Sequence, residues 1–164
     1  MPIGIVAGKA EYMDTFDGGS WQYGDDSFPS KGVTFFAGTF VRHPLTIAAA
    51  HAMLGFLLKQ PPSFWEGLNA RAARMATTID SWCQQQGIPV RLPRFCSQMY
   101  VRVGEDQKYG ILLFYNLRHR GVFILENFPN YLTVAHTDAD VDHVIQSFKE
   151  SATELRDIGL LCRH

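Results

Sequence analysis

Phe35-Phe36-Ala37-Gly38-Thr39-Phe40-Val41-Arg42-His43-Pro44-Leu45 runs without a break into the alanine-rich segment from Thr46 to Leu58. Gly38-Thr39 can present two adjacent backbone N–H groups and a hydroxyl, a donor cluster that suits a phosphate. Pro44 fits the first turn of a helix, where a missing N–H costs nothing. From the residues alone two readings stand: an anion-binding turn, or a structural turn that leads into a buried helix and holds no ligand.

Working outward, Pro44 to Lys59 is apolar around nearly the whole circumference, which predicts a helix buried on most sides. Ala48, Ala49, Ala50 and Ala52 allow a neighbour to approach closely. Pro61-Pro62-Ser63 breaks the chain. Phe64, Leu68, Ala72, Met75, Ile79 and Trp82 then recur at spacings of four and three, the stripe of a long amphipathic helix that stops at Gly87. The alternation Phe95, Ser97, Met99, Val101, Val103 predicts a half-buried strand. Tyr109 to Arg120 reads as a helix ending at Gly121. Val122 to Leu125 and Tyr131 to Ala135 read as strands joined tightly around Asn127-Phe128-Pro129-Asn130. Thr137-x-x-Asp140 is a capping box that opens a last helix to about Arg156. Before the opening stretch, residues 3 to 8 read as a short buried strand and Lys9 to Phe16 as a short helix or turn. The loop from Asp17 to Gly32 carries Trp21, Tyr23 and Phe28, either as a packed lid or subunit contact, or as a local apolar plug. The expected fold class is α/β, with residues 61–164 an α+β unit in which helices cover one face of a small, largely antiparallel sheet.

At 164 residues the chain can bury roughly 70% of its unfolded surface. Its net charge of −1, with both signs interspersed, argues against nucleic acid and against anionic membrane as partners. Ile3, Ile5 and Val6 make too short a run for a signal peptide, and nothing approaches the ~20 apolar residues of a membrane span. Cys83, Cys96 and Cys162 are odd in number and lack paired spacing, so they read as reduced thiols of a cytoplasmic protein. Asp138, Asp140 and Asp142 imitate half a calcium loop, but His143 and Lys149 stand where Gly and Glu are required. Their charge is better explained by the first turn of the last helix. His43, His51, His119, His136, His143 and His164 show no paired ligand spacing, so no metal is expected, and His136 reads as a structural histidine. There is no Gly-x-Ser-x-Gly nucleophile motif. Lys9, Lys31, Lys59, Lys108 and Lys149 read as solvated surface cations. Arg42 follows the Gly-Thr turn and can face a carboxylate or a phosphate, or form a local salt bridge.

Gly38-Thr39, four residues, Pro44-Leu45 and an alanine-rich helix together resemble the corresponding stretch of class III pyridoxal-phosphate aminotransferases and glutamate-1-semialdehyde aminomutases. The resemblance extends over nearly the whole chain. Met1-Pro2-Ile3-Gly4 is similar to the end of that family's Lys-x-x-Gly-Gly-Gly-x-Pro-x-Gly segment. Cys96-Ser97-Gln98-Met99-Tyr100-Val101 matches a strand of the small domain, and Gly121-Val122-Phe123 through Thr133-Val134-Ala135-His136-Thr137-Asp138-Ala139-Asp140-Val141-Asp142 matches the closing strand and last helix. Arg42-His43-Pro44, where the aminomutases usually carry Gly-Asn-Pro, most resembles aminotransferase domains embedded in hybrid polyketide and nonribosomal peptide synthetases.

The resemblance implies the C-terminal portion of a fold-type I pyridoxal-phosphate transferase. Residues 1–60 would be the tail of the large cofactor-binding domain and residues 61–164 the small domain. Gly38 and Thr39 would bind the cofactor phosphate of the neighbouring subunit in a homodimer, and Arg42 would contact substrate or phosphopantetheine. The Schiff-base lysine and the acidic partner of the pyridine nitrogen would lie upstream of Met1, in the large domain of the same protein, so no catalytic residue is expected here and the isolated chain would be inactive. The implied reaction moves an amino group from an amino acid to a keto substrate, in the synthetase setting a β-keto acyl thioester on a carrier protein. The turn from Glu126 to Asn130 holds no arginine, unlike relatives that bind a dicarboxylate donor through one in the small domain. The residues also admit a second class, a non-catalytic α+β module for ligand binding or interaction.

Overall fold

The computed structural model describes residues 3–19, 21–29, 34 and 38–161. Met1, Pro2, Lys31, Phe35, Phe36, Ala37, Cys162 and His164, all used in reading the sequence, lie outside the described residues. The chain divides into two compact units, Met1–Gln60 and Pro61–His164.

In the first unit, helix α1 (Ala10–Asp17) ends at Gly18, whose φ of +85° and N–H bond to the Asp14 carbonyl close the last turn. Only glycine suits this site, since a Cβ would also lie 2.2 Å from Pro29 Cβ. Helix α2 (Pro44–Leu57) opens on proline, as its sequence predicts. Three expectations fail in this unit. Residues 3–8 form no strand, and Ile3, Ile5 and Val6 are exposed, because no strand among the described residues offers them a ladder. Trp21, Tyr23 and Phe28 are exposed and so make no local apolar plug. The largest correction concerns α2, where Thr46 is the buried residue while Leu45, Ile47, Met53, Leu54 and Phe56 are exposed. An apolar circumference predicts burial only where enough protein surrounds the helix to supply it.

In the second unit, α3 (Pro62–Gln85) buries Ala72, Met75, Ala76, Ile79 and Cys83 along the expected stripe. It stops where Gly87 takes φ +66° and the Ile88 N–H reaches back to the Cys83 carbonyl. Strand β1 (Val90–Arg91) follows, then β2 (Arg94–Phe95), β3 (Gln98–Met99) and β4 (Arg102–Val103). β1 pairs with β4, and β2, β3 and β5 (Asn130–Tyr131) form a second sheet, every pairing antiparallel. Asp80 of α3 accepts the Leu92 N–H at 2.7 Å and ties helix to sheet. Helix α4 (Leu112–His119) and the last helix, α5 (Asp138–Asp157), complete the unit. The core joins α3, α4 and α5 to the strand residues Val90 and Met99 and to Val101, which lies between β3 and β4. Helices against a small antiparallel sheet are thus the architecture that the pattern predicts.

The strand boundaries differ from those expected. The alternation from Phe95 to Val103 is not one strand, because the chain reverses at Cys96, which has φ +52°, and pairs Arg94 with Met99 and Phe95 with Gln98. Phe95 therefore ends exposed on a hairpin. Val122 to Leu125 is irregular. The Asn130 side chain takes both the Leu125 N–H and its carbonyl, the groups a ladder would need. The strand expected at Tyr131 to Ala135 shortens to Asn130–Tyr131, since the Thr133 N–H donates to His136 Nδ1 instead.

The capping box forms as expected. Asp140 N–H donates to the Thr137 hydroxyl at 3.2 Å, and the Thr137 N–H donates to the Asp140 carboxylate at 2.7 Å. Bonds from the Thr137 amide and hydroxyl hold Asp140 below the usual aspartate value of 3.8. A depressed acid stabilises the fold above its unfolded pKa, and that contribution is lost as pH falls through the lowered folded value. The thermal stability of the wild type should therefore decline more steeply than that of Asp140→Asn as pH drops below about 3.8. Thr137→Ala should cost about 1 kcal/mol by urea denaturation at neutral pH.

Candidate functional site

Two successive reverse turns precede α2. The Val41 N–H donates to the Gly38 carbonyl at 3.1 Å, and the His43 N–H to the Phe40 carbonyl at 3.3 Å. A Cβ on residue 38 would press to 3.1 Å from Val41 Cγ2, so glycine lets the first turn close. Arg42, central in the second turn, has φ +57°, a left-handed conformation uncommon for a residue with a side chain. His43 is the N-cap residue of α2 but makes no side-chain capping bond.

These turns border a concavity of about 610 Å³ within the first unit, lined by Gly4, Gly38, Thr39, Arg42, His43, Thr46 and apolar neighbours. Gly38, Thr39 and Arg42, the residues singled out in the sequence, thus share one wall. Among the described residues no carboxylate lines it. Among the described residues, the Gly38 and Thr39 amides and the Thr39 hydroxyl have no hydrogen-bond partner. His43 Nδ1 is buried and also without one. Adjacent amides, a hydroxyl, a guanidinium and an unsatisfied imidazole nitrogen form a donor set, at the positive end of a 14-residue helix, that fits a phosphate. The sequence reading missed His43, whose signal was its position immediately before the helix-opening Pro44.

The second unit holds an apolar cavity of about 310 Å³, floored by Met75, Ile79 and Phe148 and reached by His136, Asp140 and His143. Its polar groups serve the fold. His136 Nδ1 accepts the Thr133 N–H at 3.0 Å, which fixes the tautomer, and His143 Nε2 donates to the Arg120 carbonyl at 3.1 Å. His136 is a structural histidine, as expected from its place between strand and helix. Asp138 pairs with Arg71 and Arg74, and Asp142 with Arg74, so these carboxylates tie α5 to α3. Among the described residues no His, Cys, Asp and Glu group is placed to hold a metal ion, and no helix is long and apolar enough to cross a membrane.

No family model matches the chain. Its fold is shared with solved transaminases: an omega-transaminase from Sphaerobacter thermophilus (TM-score 0.70, 18% identity, covering 91% of this chain and 34% of that one), and a β-phenylalanine aminotransferase from Variovorax paradoxus (TM-score 0.70, 23% identity, 95% and 36%). In sequence it is 28% identical over 166 residues to a glutamate-1-semialdehyde 2,1-aminomutase from Desulfitobacterium hafniense, a match covering 92% of this chain and 35% of the relative. The chain is thus similar in sequence to glutamate-1-semialdehyde 2,1-aminomutases and shares the fold of one portion of solved transaminases, one of them with pyridoxal phosphate bound. It spans about a third of the length of the relatives it matches.

Burial pushes the Cys83 thiol up to about 12, whereas Cys96 is exposed on its hairpin. A thiol reagent at pH 8, read by peptide mapping, should modify Cys96 readily and leave Cys83 intact until the protein is denatured.

Proposed function

We propose that the chain is the C-terminal part of a pyridoxal-phosphate-dependent aminotransferase whose complete form moves an amino group from an amino acid to a keto substrate. The observation that carries this reading is the concavity that Gly38, Thr39, Arg42 and His43 share, with no carboxylate among its described lining residues, in a chain whose sequence relatives are aminomutases. When bound, pyridoxal phosphate supplies the electron sink for the carbon that loses or gains the amino group.

Gly38 and Thr39 would hold the phosphate with their amides and the Thr39 hydroxyl, anchoring the cofactor end remote from the reacting carbon. Residues 1–60 would belong to the large domain and residues 61–164 to the small domain, in a homodimeric cytoplasmic enzyme. The exposed apolar side chains of α2, from Leu45 to Phe56, support this placement, because a contiguous apolar surface marks a contact with other protein. The upstream domain and a second subunit would supply that contact. None of Lys9, Lys59 and Lys108 lines the concavity, and the lysine and acid that act on the cofactor would come from the upstream domain.

For the acceptor we propose a β-keto acyl thioester on a carrier protein, as in polyketide and nonribosomal peptide assembly. The exposed Arg42, held beside the concavity, supports this by offering a guanidinium to the phosphodiester of a carrier's phosphopantetheine arm.

Residues 1–164 alone should show no transaminase turnover with amino donors and pyridoxal phosphate, and robust turnover would contradict the reading. In the complete enzyme, Thr39→Val should weaken pyridoxal-phosphate affinity about tenfold, in line with the loss of one hydrogen bond to a charged group. Unchanged affinity would favour a non-catalytic α+β module with a purely structural turn.

A further inference from the structure

Resting on the phosphate reading above, we propose that His43 is a further phosphate-binding residue, its Nδ1–H donating to the anion held by Gly38 and Thr39. Three observations converge on this imidazole. It lines the same concavity as Gly38, Thr39 and Arg42. Its Nδ1 atom is buried and has no hydrogen-bond partner among the described residues. It stands at the N-cap of α2 without capping the helix, so the ring is not engaged in the task its position would ordinarily give it.

A buried ring nitrogen left unsatisfied is costly, and a phosphate oxygen in the concavity removes that cost while accepting a charge-assisted bond. The backbone sets up the geometry. The turn bond from the His43 N–H to the Phe40 carbonyl fixes the residue's main chain, and Pro44 behind it restricts the conformations open to His43. The main chain that carries the ring is therefore held before ligand arrives. Phosphate binding to it requires the proton on Nδ1, which leaves Nε2 as the acceptor.

The test compares pyridoxal phosphate with pyridoxal, which lacks the phosphate, in the complete enzyme carrying His43→Phe, His43→Asn or Thr39→Val. His43→Phe keeps a ring of similar shape and removes the donor, whereas His43→Asn keeps a donor and a good N-cap. The proposal expects His43→Phe to weaken pyridoxal phosphate about tenfold, to leave pyridoxal unchanged and to move the ³¹P resonance of bound cofactor. His43→Asn should restore affinity to within about threefold. If His43→Phe binds both compounds as the wild type does, or loses both equally, the role of His43 is overturned, while a phosphate-selective loss in Thr39→Val leaves the parent reading standing. If neither His43→Phe nor Thr39→Val is phosphate-selective, both readings fall. Should His43→Phe not fold, ¹⁵N-histidine spectra of the wild type decide: addition of pyridoxal phosphate but not pyridoxal should fix the Nδ1–H tautomer of His43, and identical spectra would overturn the proposal.

Discussion

The second unit depends on the contact between α3 and α5. Val141, Ile145, Phe148 and Ala152 from α5 meet Ala72, Met75, Ile79 and Cys83 from α3 in one apolar core. Phe148, Ile79 and Val141 are fully buried there, and full burial of such side chains is worth about 1.5–3 kcal/mol each. Ala72, Ala76 and Ala152 are the small members of this buried core. Arg71 and Arg74 then reach Asp138 and Asp142 across the edge of the pair, so the N-terminal turn of α5 is fixed against α3. These ion pairs are exposed enough to add little energy, and their effect is on register. α4 joins the same core through Leu113 and Leu117, with Arg120 held by Glu150 and Glu154 of α5. Short strands suffice beside such a helical core, because Asp80 and backbone pairing need only hold them in place.

Among the described residues the first unit has no comparable core. Its helices are correctly started and stopped by Pro44 and Gly18, yet the apolar side chains of α2 remain exposed. Local chemistry makes the helix; burial needs neighbours that local chemistry cannot supply. The same segment nevertheless builds a specific feature, since two backbone-bonded turns place Gly38, Thr39, Arg42 and His43 around one concavity. The two turns are determined by a few consecutive residues and do not require a core beneath them.

This division explains what was legible in the sequence. Helices α3, α4 and α5 were readable because their apolar period extends over two or more turns, and the Thr137–Asp140 box was readable because capping is a rule about neighbours three positions apart. The strands were not, because each is two residues long and its limits are set by side chains that intercept the ladder, such as Asn130 and His136. The reversal at Cys96 escaped notice for a similar reason: a positive φ at a cysteine has no signature in the pattern. At the site, Gly38 and Thr39 were visible as a donor turn and Arg42 as the adjacent cation. His43 was not, since its significance lies in a buried nitrogen without a partner, which only the folded turn reveals.

The most direct measurement is a crystal structure of the complete polypeptide with pyridoxal phosphate bound. The account predicts the Thr39 hydroxyl and the turn amides within hydrogen-bond distance, about 2.7–3.2 Å, of phosphate oxygens, with α2 covered by other protein. A phosphate held entirely by other residues, with Thr39 facing solvent, would contradict it.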